Sequence, residues 1–239
     1  PTRPYRNAAG GEELRDTLCR ESVTYTVRRN NIEVAASHRF CNAAPVTIAI
    51  YYGMQSMFEG ETHVLTPGGA YTDWTEVAKA STFTKQEHPL FRRYVEKNRQ
   101  GYQSTWLLPD GLGDHALLDG QDDIFIYAPY GKSYHKLIGN KRIKNGDKTC
   151  WRGVYTWFET PIADDADLLC YEGSAGGHTA VFIDCKRACK RTLALPGYLD
   201  LRHFGTAEQN SGIRISAAGR NKLKIKAGAP GSCVLLLRE

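Results

Sequence analysis

The stretch LLCYEGSAGGHTAVFIDC, residues 168–185, decides the fold class. Two short apolar runs, Leu168 to Tyr171 and Thr179 to Cys185, flank a turn that carries Gly173, Gly176 and Gly177. Each run has strand length and β-branched or aromatic residues, and the glycines between them stop one strand before the next begins. The same punctuation recurs outward in both directions. Upstream lie Val23 to Val27, Val46 to Tyr52, Ser104 to Leu108, Ile124 to Ala128 and Trp151 to Glu159, with His63 to Leu65 leading into the Thr66-Pro67-Gly68-Gly69 turn. Downstream lie Leu199 to Phe204, Ile213 to Ser216, Leu223 to Lys226 and Cys233 to Leu237.

Short strands at this spacing predict an all-β chain, an antiparallel sandwich or jelly roll formed as a single domain over residues 1–239. Residues 1–10 read as an extended arm. Two or three short helices are expected in the connections. Gly11 to Arg20 places Leu14 and Leu18 four apart, and Trp74 to Ala80 reads as a helical turn. Pro89 to Gln100 is the strongest helix signal, with Pro89 near its first turn, Leu90, Tyr94 and Val95 on one face, and Gly101 after its end.

Composition removes several function classes. The chain is too apolar (41%) and aromatic (10%) for a disordered protein. It contains no run approaching the roughly 18 apolar residues of a membrane-spanning helix. It opens on Pro1 without a charged segment followed by an apolar one, so no signal peptide is read and an intracellular location is expected. Seven cysteines, an odd number without a CxxC pair, predict buried reduced thiols rather than a disulfide scaffold or a zinc site. No nucleotide-binding, zinc-protease or calcium-loop motif occurs, so neither cofactor nor metal is expected.

The candidate catalytic sets each lack a member. A cysteine hydrolase of papain-like or NlpC type would use Cys41 or Cys170 as nucleophile, His178 as base and Asp184 as orienting carboxylate. Such a thiol belongs at the start of a helix, whereas Pro45 and the β-branched run after Cys41 indicate strand. A serine reading would pair Ser174 with His38, but Glu172 stands where the nucleophile loop needs glycine. Asp122, Asp123, Asp164, Asp165 and Asp167 could supply a glycosidase carboxylate pair only if two segments converge. A glycan-binding β-sandwich would stack sugars on Tyr71, Trp74, Tyr102, Trp106, Trp151 or Trp157.

Charge is unevenly distributed. The net charge of +5 hides eleven Lys/Arg against three acids in residues 186–239, leaving the rest slightly acidic. Lys222, Lys224 and Lys226 alternate with Leu223 and Ile225 and so share one strand face. With Arg187, Lys190 and Arg191 they form the expected nucleic-acid-facing set, which would bind phosphates without reading bases.

Several segments together resemble the jelly-roll coat proteins of picornavirus-like viruses. They are Glu13 to Arg20, Val46 to Tyr52 with the Thr66-Pro67-Gly68-Gly69-Ala70 turn, Ile124 to Gly131, and Lys226 to Arg238. A start without Met and a terminal Glu239 are similar to polyprotein products. The resemblance implies a structural, non-catalytic subunit of an icosahedral shell, found in the virion or host cytoplasm. It would contact other coat subunits, enclose RNA non-specifically and meet a host receptor or glycan on its outside.

Overall fold

The computed structural model describes residues 17–58, 60, 62–67, 69–76, 81–84, 92–108, 123–128, 132–209 and 212–237. These contain nineteen strands and no helix. In chain order they are β1 (Cys19–Arg28), β2 (Asn31–Phe40), β3 (Val46–Met57), β4 (His63–Leu65), β5 (Thr75–Glu76), β6 (Ser81–Thr84) and β7 (Arg93–Asn98). Next come β8 (Gly101–Leu107), β9 (Asp123–Ala128), β10 (Lys132–Ile143), β11 (Lys148–Phe158), β12 (Ala163–Asp164) and β13 (Leu168–Ala175). The last are β14 (His178–Cys185), β15 (Cys189–Ala194), β16 (Phe204–Gln209), β17 (Ile213–Gly219), β18 (Lys222–Ala227) and β19 (Gly231–Leu237).

The strands form four antiparallel sheets. Sheet A has the order β1-β2-β11-β8-β7-β4-β5, sheet B β3-β10-β9-β6, sheet C β12-β13-β14-β19-β16, and sheet D β15-β18-β17. Side-chain packing stacks them in the layer order B, A, C, D. Met54 and Leu137 of sheet B pack on Val34, Ala36, Leu107 and Trp151 of sheet A. The opposite face of sheet A, with Val95, Trp106 and Val154, packs on Tyr171, Phe182 and Val234 of sheet C. The far face of sheet C, with Cys170, Ile183 and Leu235, packs on Leu223, Ile225 and Ile213 of sheet D.

This stacking explains the sequence patterns. A strand covered on both faces needs apolar residues at every position, whereas an outer strand needs them at every second position. Strand β14 lies in an inner layer, and Ala180, Val181, Phe182 and Ile183 are all fully buried. Strand β18 lies in the outermost layer and alternates exposed lysine with buried Leu223, Ile225 and Ala227. The chain is therefore an antiparallel β-sandwich extended to four layers, where an eight-stranded jelly roll has two sheets.

The expected helices give way to strand wherever they can be compared. Residues 93–98 form strand β7, not a helix, and pair with β8 through the tight turn between Asn98 and Gly101. Gly101 has a φ of 135°, and a Cβ there would press on the Phe158 carbonyl. Tyr94 and Glu96 point toward sheet B while Arg93 and Val95 point toward sheet C, so adjacent residues are buried on opposite faces. Cross-strand pairing on both faces outweighs the local helix preference of this segment. Thr75 and Glu76 are likewise strand, and β1 begins at Cys19. The arm over residues 1–10 and most of the Gly11 to Arg20 segment lie outside the described residues.

Candidate functional site

The outer face of sheet D gathers five like charges from three strands that contain no acid. In the ladder, Lys190 of β15 lies opposite Lys226 of β18, which in turn lies opposite Arg214 of β17. The next outward row is Thr192, Lys224 and Ser216, and the third holds Ala194 and Lys222. Neighbouring strands are about 4.8 Å apart and alternate residues about 6.7 Å apart, so each of these five cations sits within roughly one Debye length of the next. All five are exposed, and these three strands present no carboxylate on that face. No aromatic ring shares it, so the face offers charge and two hydroxyls but no stacking platform.

Four of the six residues expected to face nucleic acid are thus brought together: Lys190, Lys222, Lys224 and Lys226. Arg214 joins them; its signal was the alternation in Ile213-Arg214-Ile215. The remaining two are placed elsewhere. Arg191 points to the opposite side of β15 from Lys190 and pairs with Asp167 at 2.7 Å and Asp165 at 2.9 Å. Arg187 meets Asp167 at 3.1 Å and donates to the Ala166 carbonyl at 2.7 Å. These two arginines are engaged by the acidic loop that precedes β13.

That loop has a structural task. The Asp164 carboxylate accepts from Lys186 Nζ (2.8 Å), Lys97 Nζ (2.8 Å), Trp74 Nε1 (2.9 Å) and Tyr102 OH (2.9 Å). Burial pushes its pKa up, but the hydrogen bonds from Lys186, Lys97, Trp74 and Tyr102 outweigh it and hold the group well below the usual carboxylate range. Asp164 ties sheet A to the start of sheet C. Asp122 lies outside the described residues, and the placement of the Asp123 side chain is not described.

The thiol-hydrolase set is not brought together. Cys170 is fully buried between sheets C and D, and burial pushes its thiol pKa well up. Its cross-strand partner is Ile183, five residues along β14 from His178, a separation of about 16 Å. Asp184 points to the other face of sheet C and is held by Arg93. Cys41 follows the end of β2 and donates to the Thr17 carbonyl at 3.4 Å. His178 neighbours the opposite end of the β1–β2 hairpin, where Arg28 bonds the Gly177 carbonyl. The serine set is also dispersed: Ser174 N bonds Asn31, while His38 lies seven residues along the same strand, about 23 Å away, between Thr149, Glu21 and Tyr51.

Two further polar features lie against the two faces of sheet A. His178 and Arg152 stand at the rim of a cleft of about 300 Å³ with Trp106, Leu108, Ala175 and Leu236 on its walls. Arg152 is bonded there to Glu33 at 2.9 Å. Between sheets A and B, Ser56 bonds Tyr94 OH (2.9 Å), Ser133 (2.7 Å) and Glu96 Oε2 (3.1 Å), with His135 packed on the Tyr94 ring. Burial raises the Glu96 carboxyl to about 8 and, with Arg92, lowers His135 to about 3. Both groups are neutral at pH 7 and closed off from solvent. This cluster was missed because residues 93–98 were read as helix.

The rings considered for sugar stacking are mostly packed. Trp106, Trp151 and Tyr102 are buried, and Trp74 is held by Asp164. All seven cysteines are thiols, four buried and three half-buried. Among the described residues no group of three or more His, Cys, Asp or Glu side chains is placed to hold a metal ion. No family model matches the chain, and no curated protein or solved structure matches it either.

Proposed function

We propose that the chain is a binding and assembly subunit that holds an anionic polymer, RNA in our reading, on the outer face of sheet D. The observation that carries this reading is the outward row Lys190, Lys226 and Arg214 with Lys224 and Lys222 beside it and no acid among them. Such a surface attracts a polyanion by releasing its counterions, without selecting a sequence. Because no exposed ring is available on the face, bases are not stacked and the contact is with the charged backbone. This matches the lining role that the coat-protein resemblance implies, in which subunits meet one another and enclose RNA within a virion.

The test is binding of a labelled single-stranded RNA to the wild type and to Lys224→Glu/Lys226→Glu, with a polyuronate as competitor. Both lysines are exposed, so the variant folds as the wild type does. We expect affinity to fall at least tenfold in the variant and RNA to be displaced only by excess polyuronate. Equal binding by the two proteins would overturn the reading. Preferential binding of the polyuronate would replace RNA by an acidic glycan.

A further inference from the structure

Among the described residues strand β1 is an edge of sheet A, and its central stretch, Ser22 to Val27, lacks the devices by which the other edges are protected. An open strand edge pairs with another chain unless it is short, bulged or lined with bases. The opposite edge of sheet A, β5, and the β12 edge of sheet C have two residues each. Strands β3, β6, β16 and β17 each carry a register shift against their neighbours. Strand β15 carries Lys190 and Arg191. Strand β1 is ten residues long, pairs with β2 in unbroken register, and carries its charged residues Arg20, Glu21 and Arg28 only at its two ends, with neither proline nor charge between them.

Its side chains add an apolar stripe. Val23, Tyr25 and Val27 lie on the face turned toward sheet B but are 37%, 66% and 68% exposed. Their cross-strand partners Ala36, Val34 and Ile32 mark that face. Sheet B covers the start of β1, where Cys19 packs with Val46, Ile48 and Ile143, and leaves Val23, Tyr25 and Val27 exposed.

We propose that β1 is the seam of a two-fold dimer, in which the β1 strands of two copies pair antiparallel with Tyr25 on the axis. A two-fold axis perpendicular to the sheet puts residues of equal parity opposite one another. Centring it on Tyr25 sets Val23 against Val27 of the second copy, Thr24 against Thr26, and Ser22 against Arg28, so no like charges are opposed within the strand. Moving the centre one residue toward the N-terminus sets Arg20 against Arg28, a like-charge contact at both ends. The favoured register joins six apolar side chains into one strip and continues sheet A across both copies. This surface lies on a different sheet from the basic face and does not rest on the polyanion reading.

The test is sedimentation equilibrium of the wild type and Tyr25→Lys, together with oxidation of Tyr25→Cys and Thr24→Cys. Opposed residues in an antiparallel pair have Cα atoms about 4.5–5.5 Å apart, within disulfide reach. We expect a wild-type dimer, a folded Tyr25→Lys monomer, and disulfide-linked dimers from Tyr25→Cys above the wild-type background but not from Thr24→Cys. A monomeric wild type, a Tyr25→Lys variant that still dimerises, or equal cross-linking at both positions would overturn the proposal. RNA affinity measured on the same proteins is a separate readout and distinguishes failure here from failure of the polyanion reading.

Discussion

Arg93 of β7 and Asp184 of β14 form a bidentate ion pair between the two inner sheets, with both side chains at most 2% exposed. Tyr171 OH accepts a further bond from Arg93 Nη1 at 2.9 Å and lies 2.6 Å from Ser104 Oγ. A buried pair contributes modestly as a pair, but breaking it leaves one charge stranded in an apolar interface. Asp184→Asn should therefore cost about 3–5 kcal/mol, whereas Arg93→Met/Asp184→Leu should cost clearly less. Urea denaturation midpoints of the three proteins measure the difference, and equal loss in the single and double variants would refute this account of the pair.

Glu96 and His135 give the stability a defined pH dependence. The carboxyl, with its pKa raised to about 8, stays protonated in the folded chain while the unfolded chain ionises near 4.5. Its stabilisation is present below pH 4.5 and lost as pH rises through 8. The imidazole, lowered to about 3 from 6.5, behaves oppositely: its contribution is present above 6.5 and lost as pH falls through 3. The two effects cancel between about pH 4.5 and 6.5, leaving a plateau, with a further loss of roughly 2 kcal/mol between pH 6.5 and 8. Glu96→Gln should abolish the alkaline decline in thermal or chemical unfolding curves measured across that range. An unchanged decline would show that Glu96 is not its source.

Much of the layer order is legible in the sequence once strand coverage is considered. The unbroken apolar runs Leu168 to Tyr171 and Ala180 to Ile183 indicate burial on both faces, and the alternation of Lys222 to Ala227 indicates an outer strand. Strand β7 was illegible because Arg93, Tyr94, Val95 and Glu96 show neither alternation nor a run, each face of the strand mixing polar and apolar side chains. Strands β2 and β10 escaped for a related reason: Asn31, His38, Ser133 and His135 are buried, hydrogen-bonding or ring-packing residues that local sequence reads as surface. At the candidate site, alternation identified Lys222, Lys224 and Lys226. Separating Lys190 from Arg191 required the register of β15 on β18 and the position of the Asp165–Asp167 loop.

The sheet A to sheet B contact leaves no room at Gly153. A Cβ there would strike the thioether of Met54, itself buried and packed with Leu137 and Trp151. Gly153→Ala should lower stability by about 1–3 kcal/mol through overpacking. Gly153→Ala/Met54→Ala should show a favourable coupling in a double-mutant cycle, since the second change removes the clashing group. Strict additivity of the two substitutions would contradict the contact.

Thiol reactivity should follow the layers. Cys19, Cys170, Cys185 and Cys233 are buried and Cys41, Cys150 and Cys189 half-buried. Under native conditions a thiol reagent should modify only the second group at appreciable rates, with Cys170 protected until global unfolding. Mass spectrometry of the labelled peptides reads this directly, and early labelling of Cys170 would contradict its position between sheets C and D.

The central claim is that sheet D binds a polyanion through charge alone, and the salt dependence of RNA affinity tests it most directly. Five cations engaging single-stranded RNA give a log–log slope of about −3.5, or about a hundredfold loss between roughly 50 and 200 mM salt. The account predicts that slope for the wild type with unrelated RNA sequences, and a slope shallower by about 1.4 for Lys224→Glu/Lys226→Glu if each reversal removes one phosphate contact. Affinity independent of salt, or a slope that the double variant leaves unchanged, would contradict it.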